Sequence, residues 1–267
     1  MKSKRKIPLV VITDVHLCQA KELLQYLKSI QPQILILNGD IIDMWNFSKS
    51  YFPVAHMNVL RQIIKLSNLG TRVIYITGNH DEALRKYSDF VLGNFELVDK
   101  LILEIDGKKT WFFHGDVFDS STRGYAKILA KLGGKGYDLL ILINSCINWF
   151  RELFGKEKRS YSKTIKDSVK KAVAFISNFE TTAAEIAIEK GYSYVVCGHI
   201  HKPQMKTIEN EHGQVTYLNS GDWVENLTAL EYKKGKWSIY QYLKEHYKDA
   251  DTSEEKTKND IVVKILS

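Results

Sequence analysis

The sequence predicts an α/β fold in which two βαβ-type halves face each other and a helical insertion interrupts the second half. Three observations predict it. Strand-length apolar runs alternate with helically spaced segments over residues 7–76, the pattern then changes to short strands around an Asp-Gly turn, and a long helix-forming stretch separates these from the closing strands.

Taken in order, Ile7 to Thr13 reads as a buried strand with Asp14 and His16 on the loop after it. Lys21 to Ser29 has helical spacing in Leu23, Leu24 and Leu27, and Pro32 follows the break. Ile34 to Leu37 is a second buried strand delivering Gly39-Asp40, and a helix around Met57 to Leu69 stops at Gly70. Val73 to Ile76 is the third strand, ahead of Gly78-Asn79-His80-Asp81. Strand, helix, strand, helix, strand implies parallel pairing, with ligands beyond the carboxyl ends of the strands. Phe95 to Val98, Leu101 to Ile105 and Thr110 to Phe113 are short strands, with Asp106-Gly107 as a hairpin signal. Tyr194 to Val196 returns to strand, and Val215 to Leu218, Ala229 to Tyr232 and Trp237 to Tyr242 close the fold. The expected organisation is a core of residues 1–118 and 191–247, a helical insertion at 119–190 and a flexible tail at 248–267.

Composition sets bounds on function. A 267-residue chain with 44% hydrophobic and 26% charged residues has the make-up of an ordinary globular protein. Met1 to Lys6 is basic, but the apolar run behind it leads into Asp14, so a strand is expected there and not a signal peptide. The apolar stretch from Leu139 to Phe150 is broken by Asn144, Ser145 and Asn148 and falls short of a membrane span. Cys18, Cys146 and Cys197 have no paired spacing, which argues against disulfides or a thiolate metal site and for a cytoplasmic location. The formal charge of +7 is concentrated. Residues 120–171 hold 12 Lys/Arg against 4 Asp/Glu, a surplus of 8, so the rest of the chain sums to −1.

Five fragments carry the chemistry: Asp14-Val15-His16, Gly39-Asp40, Gly78-Asn79-His80-Asp81, His114-Gly115-Asp116 and Gly198-His199-Ile200-His201. A lone Gly-Asp is noise and a lone His-x-His is more often structural. Here five of the eight histidines fall inside the fragments, and four fragments end an apolar run. Phosphate ester or anhydride hydrolysis needs an activated water and neutralised phosphoryl oxygens, and two divalent cations supply both. Such a pair needs a bridging anion, for which Asp40 is the candidate. Asp14 and His16 can reach one metal, and His201 can return to it. Asn79, His114 and His199 are then candidates for the second. A mixed N/O set without thiolate suits manganese, iron or zinc.

This constellation resembles the calcineurin-like metallophosphoesterase superfamily over roughly Pro8 to Trp223. The resemblance implies a four-layer α/β/β/α sandwich and two divalent metal ions. It implies that Asp14, His16, Asp40 and His201 hold one metal and Asp40, Asn79, His114 and His199 the other. His80 would contact the phosphate or protonate the leaving group, and Asp81 would orient His80. Asp14-Val15-His16-Leu17-Cys18, the run Gly39 to Trp45, Gly124-Tyr125 and the long insertion resemble the UDP-2,3-diacylglucosamine hydrolases of lipid A synthesis. Those enzymes split a lipid-linked UDP-sugar into UMP and a lipid sugar phosphate under a lid. The apolar segment Leu139 to Phe154, followed by Lys156, Lys158 and Arg159, suits a lid for acyl chains resting on an anionic membrane surface. The alternative is a helical subdomain with its own core. By the same resemblance Asn79, His80, Tyr125, Ser160, Lys163 and Lys166 would contact substrate. Position 80 departs from the pattern: the best-known hydrolases have Arg there. Histidine can act as a general acid, which keeps phosphodiester substrates open. The stretch Asn219 to Glu225 resembles a related subgroup. Nucleic-acid binding is not expected, because the aromatics do not interleave with the basic residues.

Overall fold

The computed structural model describes residues 4–16, 19–45, 52–121, 162–243 and 246, with the backbone alone for 119–121, 162–173 and 175. The elements are β1 (Arg5–Ile12), α1 (Ala20–Ser29), β2 (Ile30–Asn38), α2 (Val54–Asn68), β3 (Arg72–Ile76), β4 (Phe90–Leu92), β5 (Phe95–Val98), β6 (Leu101–Ile105), β7 (Lys108–Phe112), α3 (Ser162–Glu189), β8 (Tyr194–Cys197), β9 (Gln204–Asn210), β10 (Gly213–Asn219), β11 (Thr228–Lys233) and β12 (Lys236–Gln241). Short 3-10 helices span Glu82–Tyr87 and Asp116–Ser121. Among the described residues the strands form two sheets, ordered β12-β11-β1-β2-β3-β5-β4 and β6-β7-β8-β10-β9.

The inner strands are parallel: β1 with β2, β2 with β3 and β3 with β5 in one sheet, β7 with β8 and β8 with β10 in the other. Their runs are apolar without a polar alternate because both faces are covered. On β2, Leu35 and Leu37 pack with α1 and α2 residues such as Leu27, Ile63 and Leu66, while Ile36 points the other way. Ile36, Ile74, Phe112, Val196 and Leu218 meet between the two sheets. Behind the second sheet, Val195, Cys197 and Tyr217 pack against Phe179, Ala183, Ala184 and Ala187 of α3. Among the described residues, two helices, seven strands, five strands and one helix make the four layers that the resemblance implies.

The Asp106-Gly107 turn joins β6 to β7 with φ of 48° and 75°, the two left-handed positions a tight hairpin requires. Two edge strands, β4 and β9, are not apparent in the sequence. β9 is largely polar, and its residues are half-buried or exposed.

The insertion needs a correction of extent. Placed at 119–190, it would take in the whole of α3. Phe179, Ala183, Ala184, Ala187 and Ile188 are buried against the second sheet, so this end of α3 is a layer of the core. The tail at 248–267 and the segment 122–161 lie outside the described residues. No helix among the described residues is long and apolar enough to cross a membrane.

Parallel strands that run the same way release their following loops at one edge. The loops after β1, β2, β3, β7, β8 and β10 carry Asp14, Asp40, Asn79, His114, His199 and Asp222 respectively, and they meet there.

Candidate metal centre

Three of these loops turn at non-glycine residues in the left-handed region, which is uncommon. Of nine non-glycine residues with positive φ among those described, five are Asp14, His16, Asp40, His199 and His201. Backbone strain of this kind persists where the surroundings over-determine it, and here it falls on the expected ligands. Gly78 answers a different need. A Cβ there would meet Asp40 Oδ1, would lie 2.7 Å from the Asp40 backbone nitrogen and 2.9 Å from His114 Cδ2, so the third loop can close on Asp40 only without a side chain.

Among the described residues the donors converge as three overlapping groups, the two expected sets and a third of His16, Asp40 and His80. Asp14, His16 and His201 each bring a ligand atom within 4.8 Å of the others, and so do Asp40, His114 and His199. Asp40 joins them: its Oδ2 lies 3.2 Å from His114 Nε2 and 3.8 Å from His16 Nε2. Asp14 Oδ1 lies 3.2 Å from His201 Nε2. Asn79 Oδ1 is buried with no hydrogen-bond partner, while Asp14 Oδ1 and His114 Nε2, also buried, have only another expected ligand opposite them, His201 and Asp40 respectively. Buried polar atoms without hydrogen bonds are costly in a folded protein, and these three belong to expected ligands. The donor set and its bare atoms fit a pair of cations.

Neighbouring groups hold the ligands in register. His114 Nδ1 lies 3.0 Å from the Asn38 carbonyl, which fixes the tautomer and leaves Nε2 as the ligand nitrogen. The second oxygen of Asp14 accepts from Thr13 Oγ1 and from the His199 amide, both at 2.8 Å. Asp40 Oδ1 accepts from the His80 amide at 2.8 Å.

Electrostatics follow this geometry. Burial would raise the Asp14 carboxyl, but the imidazoles, His201 foremost, hold it well below the usual carboxylate range. Against the same burial, His114 first among its neighbours holds Asp40 at about 2. Burial would lower His201, yet Asp14 pushes it up to about 9, and Asp40 raises His114 likewise. His16 is lowered, chiefly by burial.

His80 stands at the edge of the centre, and its Nδ1 is 3.0 Å from Asp43 Oδ1. Its ring centroid lies 3.8 Å from the Trp45 ring and 4.4 Å from that of His16. The expectation that Asp81 orients His80 is corrected here. Both Asp81 oxygens are turned inward: Oδ1 accepts from the Gly78 amide at 2.6 Å, and Oδ2 from the Ile41 amide at 3.0 Å and the Tyr75 hydroxyl at 2.5 Å. Asp81 ties the second and third loops together, while Asp43 serves His80. Asp116 likewise takes a structural partner, Arg85, whose Nη2 donates at 2.9 Å.

Residues 7–203 match the model of the calcineurin-like phosphoesterase family. The chain belongs to that family. As a calcineurin-like phosphoesterase it is a hydrolase of phosphate esters or anhydrides, of a dinuclear-metal type. Among curated proteins it is similar to the UDP-2,3-diacylglucosamine hydrolase of Neisseria meningitidis serogroup B, 27% identical over 90% of this chain and 99% of that one. It is also similar to the UDP-2,3-diacylglucosamine hydrolase of Aliivibrio fischeri, 22% identical over 80% of this chain and 87% of that one. Among solved structures it aligns with Yfce, a phosphoesterase from E. coli, at 12% identity and TM-score 0.45, over 88% and 92% of the two chains.

All seven ligands expected of this phosphoesterase lie on the loops at that edge, and six of them fall in the two converging sets. The expected substrate contacts Tyr125 and Ser160 lie outside the described residues, as do the side chains of Lys163 and Lys166, whose backbone is in α3. The sequence reading assigned no role to Asp43, Asp222 or Asn226. Asp43 had a signal, since it sits three residues after Asp40 in the same fragment.

Proposed function

We propose that this phosphoesterase cleaves the pyrophosphate bond of UDP-2,3-diacylglucosamine, releasing UMP and a lipid sugar phosphate, with two divalent cations of which manganese is the first choice and iron or zinc the others. The observation that carries the two-metal part is the Asp40 carboxylate, whose Oδ2 stands between His114 and His16 of the two donor sets. The substrate rests on the relatives, named for hydrolysing it and aligned over as much as 90% of the chain.

Asp14, His16, Asp40 and His201 would hold one cation and Asp40, Asn79, His114 and His199 the other. A cation pair so held acidifies a water and neutralises phosphoryl oxygens. The protein's own part is orientation and proton transfer. Asp43 holds His80 by Nδ1 and leaves Nε2 to donate a proton to the departing oxygen. The insertion expected at 119–190 would supply the acyl-chain lid, with Tyr125, Ser160, Lys163 and Lys166 as substrate contacts. The basic surplus of this segment suits peripheral attachment at the anionic inner face of the cytoplasmic membrane.

A second reading is hydrolysis of a phosphodiester in another nucleotide or lipid. The His80–Asp43 pair favours it, because an alkoxide leaving group gains most from a general acid and a phosphate leaving group least. The test is UMP release from UDP-2,3-diacylglucosamine in detergent with Mn²⁺, beside bis-p-nitrophenyl phosphate and an Asp40→Ala control. Release that is lost in Asp40→Ala supports the first reading. Cleavage of the artificial diester with the lipid intact contradicts it and supports the second.

A further inference from the structure

The two donor sets share the loop of His199 and His201 and the His199 amide's bond to Asp14, but their further supports differ. The turn Asn219–Asn226, which the mechanism above does not use, lies under the first set. Its Trp223 amide donates to the Asp14 carbonyl at 3.0 Å. The Asn226 side-chain amide donates to the His201 carbonyl at 2.9 Å and to Asp222 Oδ2 at 2.5 Å. Asp222 Oδ2 in turn faces His201 Nδ1 at 3.9 Å. The turn is itself rigid, since Asp222 Oδ1 accepts three successive amides, from Val224, Glu225 and Asn226, at 2.8, 2.6 and 3.1 Å.

The second set rests on α3. Phe179 is buried, with its ring 6.3 Å from that of His199 and 5.4 Å from that of Phe118, which follows His114 closely in the chain. Gly115, next to His114, approaches so closely that a Cβ there would lie 2.6 Å from Phe179 Cζ. The neighbouring Glu180 is buried too and pairs with Lys206 and, at 3.7 Å, with Lys202, the residue after His201 in the loop that both halves share. One turn of α3 therefore seats the loops of His114 and His199, whose ring centroids lie 5.2 Å apart.

We propose that the two metal half-sites are separately supported: Asn226 is a positioning residue for the Asp14/His201 half and Phe179 for the His114/His199 half, so that each half can be weakened alone. The inference rests on the two-cation reading above. Loss of an outer support typically lowers metal affinity 10- to 100-fold.

The test is a Zn²⁺ titration of the full-length metal-free chain, followed through the histidine ring signals in long-range ¹H–¹⁵N spectra. In Asn226→Ala the His16 and His201 signals should need about 10-fold or more added Zn²⁺, with His114 and His199 near wild type. Phe179→Ala should give the converse. Asn226→Asp, close in size but unable to donate, should behave like Asn226→Ala, and Phe179→Leu should fall between wild type and Phe179→Ala. These milder variants keep the test sound if an alanine variant does not fold. The inference is overturned if both families of signals shift together in each variant, or if neither moves. A wild-type chain whose ring signals ignore Zn²⁺ would overturn the two-cation reading itself, and this inference with it.

Discussion

Asp43, and not the adjacent Asp81, holds the imidazole of His80: Asp43 Oδ1 lies 3.0 Å from His80 Nδ1, across 37 positions of sequence. Asp81 is the next residue in the chain, and its carboxylate is committed to Gly78, Ile41 and Tyr75. The two carboxylates therefore make opposite predictions.

Asp43→Asn should reduce turnover of poor leaving groups by about 10- to 100-fold and leave good ones nearly untouched, since general acid catalysis contributes at least that much where the leaving oxygen needs a proton. Rates on a series of aryl phosphodiesters of increasing phenol pKa check this. An equal loss along the series would remove His80–Asp43 from the proton path.

Asp81→Ala should act on stability. It strands two buried amides and the Tyr75 hydroxyl, and hydrogen bonds to a charged group contribute ~1.5–3 kcal/mol each. A loss of about 3 kcal/mol or more in urea unfolding is expected from these bonds. A change under about 1 kcal/mol, the usual size for a surface substitution, would contradict the account.

Gly78→Ala should abolish activity while most of the fold survives. The added carbon meets Asp40 and His114 together, and the Asp40 backbone nitrogen at 2.7 Å cannot swing aside as a flexible side chain would. Activity within a few-fold of wild type, measured on the artificial diester, would show that the third loop has room the geometry denies it.

Metal uptake should release protons. In the metal-free chain His201 keeps its proton up to about 9, because Asp14 stabilises the charged imidazole against burial. A folded-state pKa raised above the ordinary histidine value means the proton is fully held at low pH and lost as pH rises through about 9. A cation must displace it, so affinity should climb as pH rises towards about 9 and level off above it. Calorimetry of Mn²⁺ binding in buffers of differing ionisation enthalpy counts the protons, and a count of zero would contradict the assignment of His201.

Added Mn²⁺ should also raise the melting temperature. A cation at 100 times its Kd stabilises the folded chain by about 2.7 kcal/mol, and at this chain length each kcal/mol is worth ~2–4 °C. A rise of about 5–10 °C per ion is expected in wild type, with most of it lost in Asp40→Asn.

The candidate ligands were legible because a metal would demand particular side chains at particular places, and strand ends supply the places. Asp14, Asp40, Asn79, His114, His199 and His201 could be found from apolar runs followed by polar residues. Roles set by contact were not legible in that way. Asp81 follows His80 directly, yet the tight loop turns its carboxylate inward, so adjacency misled. Asn226 reaches His201 across 25 positions, which no local pattern records. The end of the insertion was misjudged because helical spacing does not say what a helix packs on. The stripe Phe179, Ala183, Ala184, Ala187 is the signal that α3 belongs to the core. β9 escaped notice because an edge strand with little buried surface needs few apolar residues.

Asp40 would be shared by two cations, and anomalous diffraction from crystals of the Mn²⁺-loaded protein tests this most directly. Two anomalous peaks roughly 3.5–4 Å apart are expected at Asp40, one beside Asp14, His16 and His201 and the other beside Asn79, His114 and His199. A single peak, or two peaks that do not share Asp40, would contradict it.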